Sequence, residues 1–220
     1  MPESSSDPED APVLEEAPSG VDTSSAAEVS ELFSDGNVTN SMVKVAVLEK
    51  LLAAVTRDCS FNDFMYDLLI GIMQAVKSEA GSIFEVDPGN SSLFFRSVVG
   101  SSSDRVMNFV IPNGQGLVGH VAESKRPIVV DKVSDNKLHL KSIEMVVGFE
   151  AKNLVAIPIL VRGKVYGVLE LLNRIGEECY TSADVELLTY LSNMAAKVIE
   201  IRLMIAWSQK EQSQYGVKAA

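Results

Sequence analysis

The stretch that most restricts the fold is NLVAIPILVRGKVYGVLELLN, residues 153–173. Two β-rich runs flank Arg162-Gly163-Lys164, a composition that marks a tight hairpin. Neither run alternates cleanly: Val155, Ile157, Ile159 and Val161 are apolar, and so are Leu154, Ala156 and Leu160 between them. A strand pair apolar on both faces must be covered on both faces. Helices can cover one side. Middle loops and short helices must cover the other, and a concave layer of that kind is where a small ligand could sit. Glu170 is the one acid inside the hairpin. Alternation puts it on a face with Tyr166, Val168 and Leu172, either partnered or at a pocket edge.

Helical spacing recurs on both sides of this hairpin. Leu48, Leu51, Leu52 and Val55 recur within residues 42–58, and Phe64, Leu68, Ile72, Met73 and Val76 within 61–79. Ser60 or Asn62 could cap the second of these helices, and Gly81 is expected to end it. SIFEV (82–86) and SLFFRSVVG (92–100) flank Asp87-Pro-Gly-Asn90 and read as a hairpin, with a third strand over 105–111. A short helix at 117–123, an extended segment at 127–131, a polar loop at 132–141 and a helical turn at 142–147 follow. The last helix is expected from Ser182 to about Gln209, opened by a capping box at Thr181-Ser-Ala-Asp184. Leu187, Leu191, Met194, Val198, Ile201 and Ile205 form a heptad seam along it, and Leu188, Ala195 and Ile199 a second line. One stripe can pack on the sheet while the other meets a second subunit.

The net charge of −11 belongs to one end of the chain. Met1 to Asn40 holds ten of the 30 acids and none of the 19 Lys and Arg, which leaves a near-neutral body. Neither a basic nucleic-acid surface nor an acidic body is indicated. Residues 1–41, rich in Ser, Pro, Asp and Glu, read as a disordered leader or as a partner-binding segment that orders on contact. The expected organisation is this leader, a dimerisation helix over 42–58, one domain over 59–210 and a flexible tail over 211–220. With no signal sequence and no apolar run of bilayer length, a cytoplasmic protein without membrane contact is expected. Cys59 and Cys179 are too far apart to form a disulfide framework or a metal knuckle.

Gly114, Gly116 and Gly119 make a G-x-G-x-x-G turn, with Asp131 placed where a ribose-binding acid would stand. Only about two helical turns fit before Pro127, Pro112 sits just before the turn, and an antiparallel hairpin follows. These features count against a dinucleotide site.

Three segments in order, NGQGLVGHVAESKRPIVVDKVSDN, VGFEAKNLVAIPILVRGKVYGVLELLNR and YTSADVELLTYLSNMAAKVIE, resemble a GAF domain over roughly residues 60–205. The resemblance implies an α+β fold with a six-stranded, mainly antiparallel sheet. It places the long first and last helices on one face and a ligand pocket of loops and short helices on the other. It also implies a sensory or interaction role as a homodimer. Under it the glycines shape the pocket wall, Phe84 and Phe109 form the floor, and Gly116, Leu117, Asp131, Asp135, Phe149 and Glu170 line the site. The family's cyclic-nucleotide signature, N-K…F-x-x-x-D-E, falls on Asn173, Arg174, Tyr180, Asp184 and Val185. Arg174 keeps the charge and Tyr180 the ring, while Val185 lacks the final acid. A structural reading has Arg174 pairing with Asp184 above Tyr180.

Neither cysteine is placed to hold a tetrapyrrole, and His120 and His139 are weak candidates for haem, so no cofactor and no metal are expected. No catalytic grouping is visible. The expected function is a non-catalytic small-molecule sensor, with a cyclic nucleotide as one candidate ligand, that signals as a dimer to a partner protein. A ligand-free docking module and a nucleotide-dependent oxidoreductase using the glycine turn are the alternatives.

Overall fold

The computed structural model describes residues 59–100, 107–138 and 149–216, and isolated helical positions Val45, Glu49 and Ala53. Leu48, Leu51, Leu52 and Val55, the leader, His139 and the expected helical turn at 142–147 lie outside the described residues.

The first helix, α1 (Phe61–Val76), starts at a capping box. The Ser60 side chain accepts from the Asp63 N–H, and the Asp63 carboxylate accepts from the Ser60 N–H. Helix α1 ends earlier than expected, at Lys77, whose left-handed backbone (φ 55°) returns its N–H to the Met73 carbonyl. Gly81 is therefore not the stop. It sits inside strand β1 (Ser78–Val86), where a Cβ would lie 2.9 Å from Leu171 Cδ2 and 3.1 Å from Leu69 Cδ1. Its missing side chain lets α1 seat on the sheet.

Strands β2 (Leu93–Val99) and β3 (Val110–Ile111), helix α2 (Gly116–Ser124), strand β4 (Ile128–Val130) and a 3-10 turn (Val133–Asp135) follow. Strands β5 (Leu154–Val161) and β6 (Lys164–Arg174) form the apolar hairpin, and α3 (Ser182–Gly216) closes the chain. Arg162 and Gly163 both have positive φ (50° and 75°), the requirement of a two-residue I′-type turn. The sheet order is β3-β2-β1-β6-β5-β4, and every neighbouring pair is antiparallel.

Both faces of the sheet are covered. On one, α1 and α3 bury Ile83, Val155, Ile157, Ile159, Leu169 and Leu171. On the other, α2 and the 3-10 turn cover Phe84, Phe95, Leu154, Ala156 and Val168. Two register breaks interrupt the pairing. Ile83 and Phe84 oppose Ser97 and Phe95, skipping Arg96, while Ile159 and Leu160 oppose Gly167 and Val165, skipping Tyr166. Tyr166 is thus the extra residue of a β-bulge, which breaks the alternation around it. It packs with the helix-side cluster and does not share a face with Glu170.

The heptad seam on α3 also divides. Leu191 (0% exposed) and Val198 (5%) are buried against the protomer's own sheet, and the Ser192 hydroxyl donates to the Pro158 carbonyl at 2.9 Å. These two residues are therefore core and not dimer contacts. Met194 is half-buried, whereas Ile201, Met204, Ile205 and Trp207 are exposed, the last at 75%.

Candidate functional site

The face opposite the long helices carries the candidate site. Its floor is Phe84, whose ring centroid lies 4.4 Å from that of Phe95, flanked by Leu93 and Val168. Leu117, Val118 and Val121 of α2 close over it, and Phe109 packs at the edge. The three glycines set the path of this cover. Gly114 and Gly116 have φ near 70°, and a Cβ on Gly119 would lie 2.8 Å from the Gly114 carbonyl carbon. The loop therefore folds back on the first turn of α2. The Glu123 carboxylate stands 2.7 Å from where a Gly114 Cβ would be, an acid where a phosphate would have to approach. Together with the absence of parallel pairing among the described strands, this excludes a dinucleotide turn.

Glu170 is on this same face. Its cross-strand partners are Ser82 on β1, which is buried, and Ala156 on β5. No described residue hydrogen-bonds to it. Burial alone pushes its carboxyl up to about 7, because no opposite charge or donor offsets the lost hydration. Glu170 is thus a largely desolvated acid that accepts a hydrogen bond from no described residue.

The other expected pocket residues divide. Phe84, Phe109, Gly116 and Leu117 join Glu170 on this face, and Phe149 is half-buried at the approach to β5. Asp131 and Asp135 do not. Asp135 is exposed and bridges to Lys132 at 2.9 Å, and that contact with the Ser134 hydroxyl holds its carboxyl below the ordinary range. Asp131 lines a separate cleft of about 560 Å³ with Glu79, Glu150, Asn173 and Arg174. Loop residues have no periodicity from which a face can be read.

The four signature residues form the junction between β6 and α3. Arg174 reaches both oxygens of Asp184 (3.3 and 3.4 Å), and Asp184 also accepts from the Thr181 N–H and hydroxyl, each at 2.9 Å. The buried Tyr180 hydroxyl donates to Ser78 at 3.0 Å. Asn173, left-handed at φ 57°, accepts from the Lys152 N–H at 2.7 Å and donates to Glu79 and the Glu150 carbonyl. Asn153, which sequence reading missed, mirrors it by accepting from the Arg174 N–H and donating to the Glu178 carbonyl. Its signal was an asparagine at the mouth of an apolar strand.

His120 is exposed on α2, and among the described residues no cluster of His, Cys, Asp or Glu is arranged to hold a metal. No helix of the described residues is long and apolar enough to cross a membrane.

An antiparallel six-stranded sheet with long helices on one face and a short helix with loops over the other defines an open-sheet α+β domain. A family model described as GAF domain matches residues 63–200, and the chain belongs to that family. The dual 3′,5′-cyclic-AMP and -GMP phosphodiesterase 11A of Takifugu rubripes is 24% identical over 172 residues, covering 74% of this chain and 19% of that protein. The chain thus spans about a fifth of that relative's length. The GAF domain of a phosphoenolpyruvate-protein phosphotransferase from Coxiella burnetii superposes with a TM-score of 0.64 at 20% identity, covering 76% of this chain and 99% of that one. Free methionine-R-sulfoxide reductase from Neisseria meningitidis, solved with its substrate, gives 0.62 at 16% identity, covering 78% and 96%. At these identities the structural likenesses establish the fold alone.

Proposed function

We propose that this chain is a non-catalytic cytoplasmic sensory domain that holds a small molecule on the sheet face bearing Phe84 and Glu170, and that it signals as a homodimer to a partner protein. Glu170 carries the reading. A carboxyl that has lost much of its hydration and accepts from no described residue leaves room for a ligand to supply the donors. A molecule with an aromatic ring for the Phe84 floor and paired N–H groups for the carboxylate fits this description, and the guanine of cyclic GMP has both. The relationship to a cyclic-nucleotide phosphodiesterase favours the same class. Arg174, in place of lysine, pairs with Asp184 at the junction, whereas Val185 in place of the final acid is a departure from the family's cyclic-nucleotide signature that counts against this ligand class.

The closely packed, tilted rings of Phe84 and Phe95 support a second reading, in which the chain's own rings fill the site and the domain serves only for docking. Thermal unfolding of the full chain against cyclic GMP, cyclic AMP, NAD, haem and amino acids separates the two. A ligand at a hundred times its Kd adds about 2.7 kcal/mol. A shift with a cyclic nucleotide that Glu170→Gln abolishes is the expected result. No shift with any compound, or a shift that Glu170→Gln leaves intact, would remove the site as drawn.

A further inference from the structure

The charged surface of the folded domain is divided between two places. The cleft beside Asn173 is lined by five acids, Glu79, Asp131, Glu150, Glu177 and Glu178, and by three bases, Lys132, Lys152 and Arg174, of which Lys132 and Arg174 are paired with Asp135 and Asp184. A second groove, of about 550 Å³, runs between α2 and β4 and is lined by His120, Ser124, Arg126, Pro127 and Ile128, with no acid among them. Lys125 stands at its lip with Nζ donating to the Gly163 carbonyl at 3.2 Å, which brings the hairpin turn and Lys164 to the same side. Lys125, Arg126 and Lys164 form no ion pair among the described residues. The groove borders β4, an edge strand of three residues on which Val129 is 36% exposed. Such an edge offers unpaired backbone groups to an extended segment.

The chain itself contains a complementary segment. Its first forty residues hold ten acids and no Lys or Arg, and in them Val29, Leu32 and Phe33 stand among Glu28, Glu31 and Asp35. We infer that the acidic segment around Glu28 to Asp35 docks in the groove between α2 and β4 of its own chain. Its carboxylates meet Lys125 and Arg126, and its apolar side chains meet Pro127 and Ile128. Charge favours the groove, because the cleft keeps an excess of acids over bases whereas no acid lines the groove. Reach is sufficient: at about 3.3 Å per residue, the stretch from Asp35 to Cys59 spans up to roughly 80 Å when extended, and still roughly 50 Å if residues 42–58 are helical. The groove is separate from the Glu170 site, so this inference does not depend on a small ligand.

Carbodiimide cross-linking of the full chain, read by peptide mass spectrometry, tests it by joining carboxylates to adjacent lysines. The expected product links Lys125 to Glu28, Glu31 or Asp35. Its yield should fall several-fold in Arg126→Glu. It should also fall as salt rises from about 0.01 to 0.1 M and the screening length drops from about 30 to 10 Å. The double variant Leu32→Ser/Phe33→Ser leaves every carboxylate and the folded domain untouched and should lower the same link several-fold. Leader links spread evenly over Lys77, Lys125, Lys152 and Lys197, or a yield indifferent to both variants, would overturn the docking. In a mixture of ¹⁴N- and ¹⁵N-labelled chains the link should stay within one label, and links found only between labels would overturn docking within one chain.

Discussion

Arg96 and Tyr166 are each the unpaired residue of a β-bulge, and both donate to the same oxygen of Glu85, Tyr166 at 2.7 Å. The two bulges lie on opposite sides of β1, and each turns a polar side chain toward the helix layer. Arg96 continues to Asn62 at the start of α1 and lies 5.9 Å from the Phe61 ring centroid. Burial and the adjacent carboxylate raise the Tyr166 hydroxyl well above the ordinary tyrosine range, so it remains a donor at any ordinary pH.

Glu85→Ala should therefore destabilise the domain by about 1–3 kcal/mol, since it strands two partly buried donors. Tyr166→Phe combined with Glu85→Gln should cost less than the sum of the single variants. Urea unfolding of these variants and the wild type checks both, and strict additivity would mean that Glu85 and Tyr166 do not act together.

Glu170 gives a pH dependence whose sign is unusual for an acid. Its folded pKa of about 7 lies above the ordinary 4.5, so between these values the folded chain binds more protons than the unfolded one. Stability then declines as pH rises from about 4.5 to 7, and the cost is complete above that range. Glu170→Gln, unable to ionise, should match the wild type at pH 4 and exceed it by about 1–2 kcal/mol at pH 8, allowing for the solvation that a half-buried residue keeps. Denaturation midpoints of both proteins at the two pH values decide it. A gap that does not change with pH would show that Glu170 is ionised, or solvated, in the folded protein.

The division of the α3 seam separates folding from association. Leu191→Ala should cost about 2–5 kcal/mol and leave any self-association in the remaining folded protein unchanged. Ile205→Glu should leave the thermal midpoint within a degree or so, since exposed positions contribute little, and shift sedimentation toward monomer. If Ile205→Glu sediments as the wild type does, the dimer, if present, uses another surface.

At the β6–α3 junction one carboxylate serves two purposes. Asp184→Ala removes both the cap on Thr181 and the partner of Arg174, and should cost about 2 kcal/mol, or roughly 4–8 °C at this size. Arg174→Lys keeps the charge but not the two-pronged contact, and should cost less than half as much. Calorimetry of the two variants would reveal a purely electrostatic junction if Arg174→Lys were silent.

What was legible in the sequence was local. The hairpin turn at Arg162-Gly163 has its own composition, and the apolar spacing of α1 is visible without knowing what it packs against. The GAF resemblance led to the six-stranded sheet, which a single chain's periodicity could not have assembled. What was not legible depended on a partner. Arg96 and Tyr166 become bulge residues only through the register of neighbouring strands. Gly81 read as a helix stop because its reason for being glycine, Leu171 on another strand, lies ninety residues away. Leu191 and Ile205 lie on the same seam in sequence, and only the end of the sheet beneath α3 distinguishes them. Alternation placed Glu170 with Val168 and Leu172 and the family resemblance placed Phe84 in the floor, whereas Asp131 and Asp135, at a bend and in a 3-10 turn, have no period from which a face can be read.

Helix α3 has 35 residues, about 52 Å of rod. Its last described contacts with the domain are at Arg202, which donates to the Cys59 carbonyl and lies over the Phe64 ring, at Leu203, which packs on the helix-side core, and at Met204 beside Arg162. The twelve residues from Ile205 to Gly216 extend about 18 Å past those described contacts. A tilt of about 5° there carries the far end through about 1.6 Å. Mechanically the domain is a short fulcrum with a long arm, so a rearrangement of the core too slight to notice locally is enlarged at the tip, beyond Trp207.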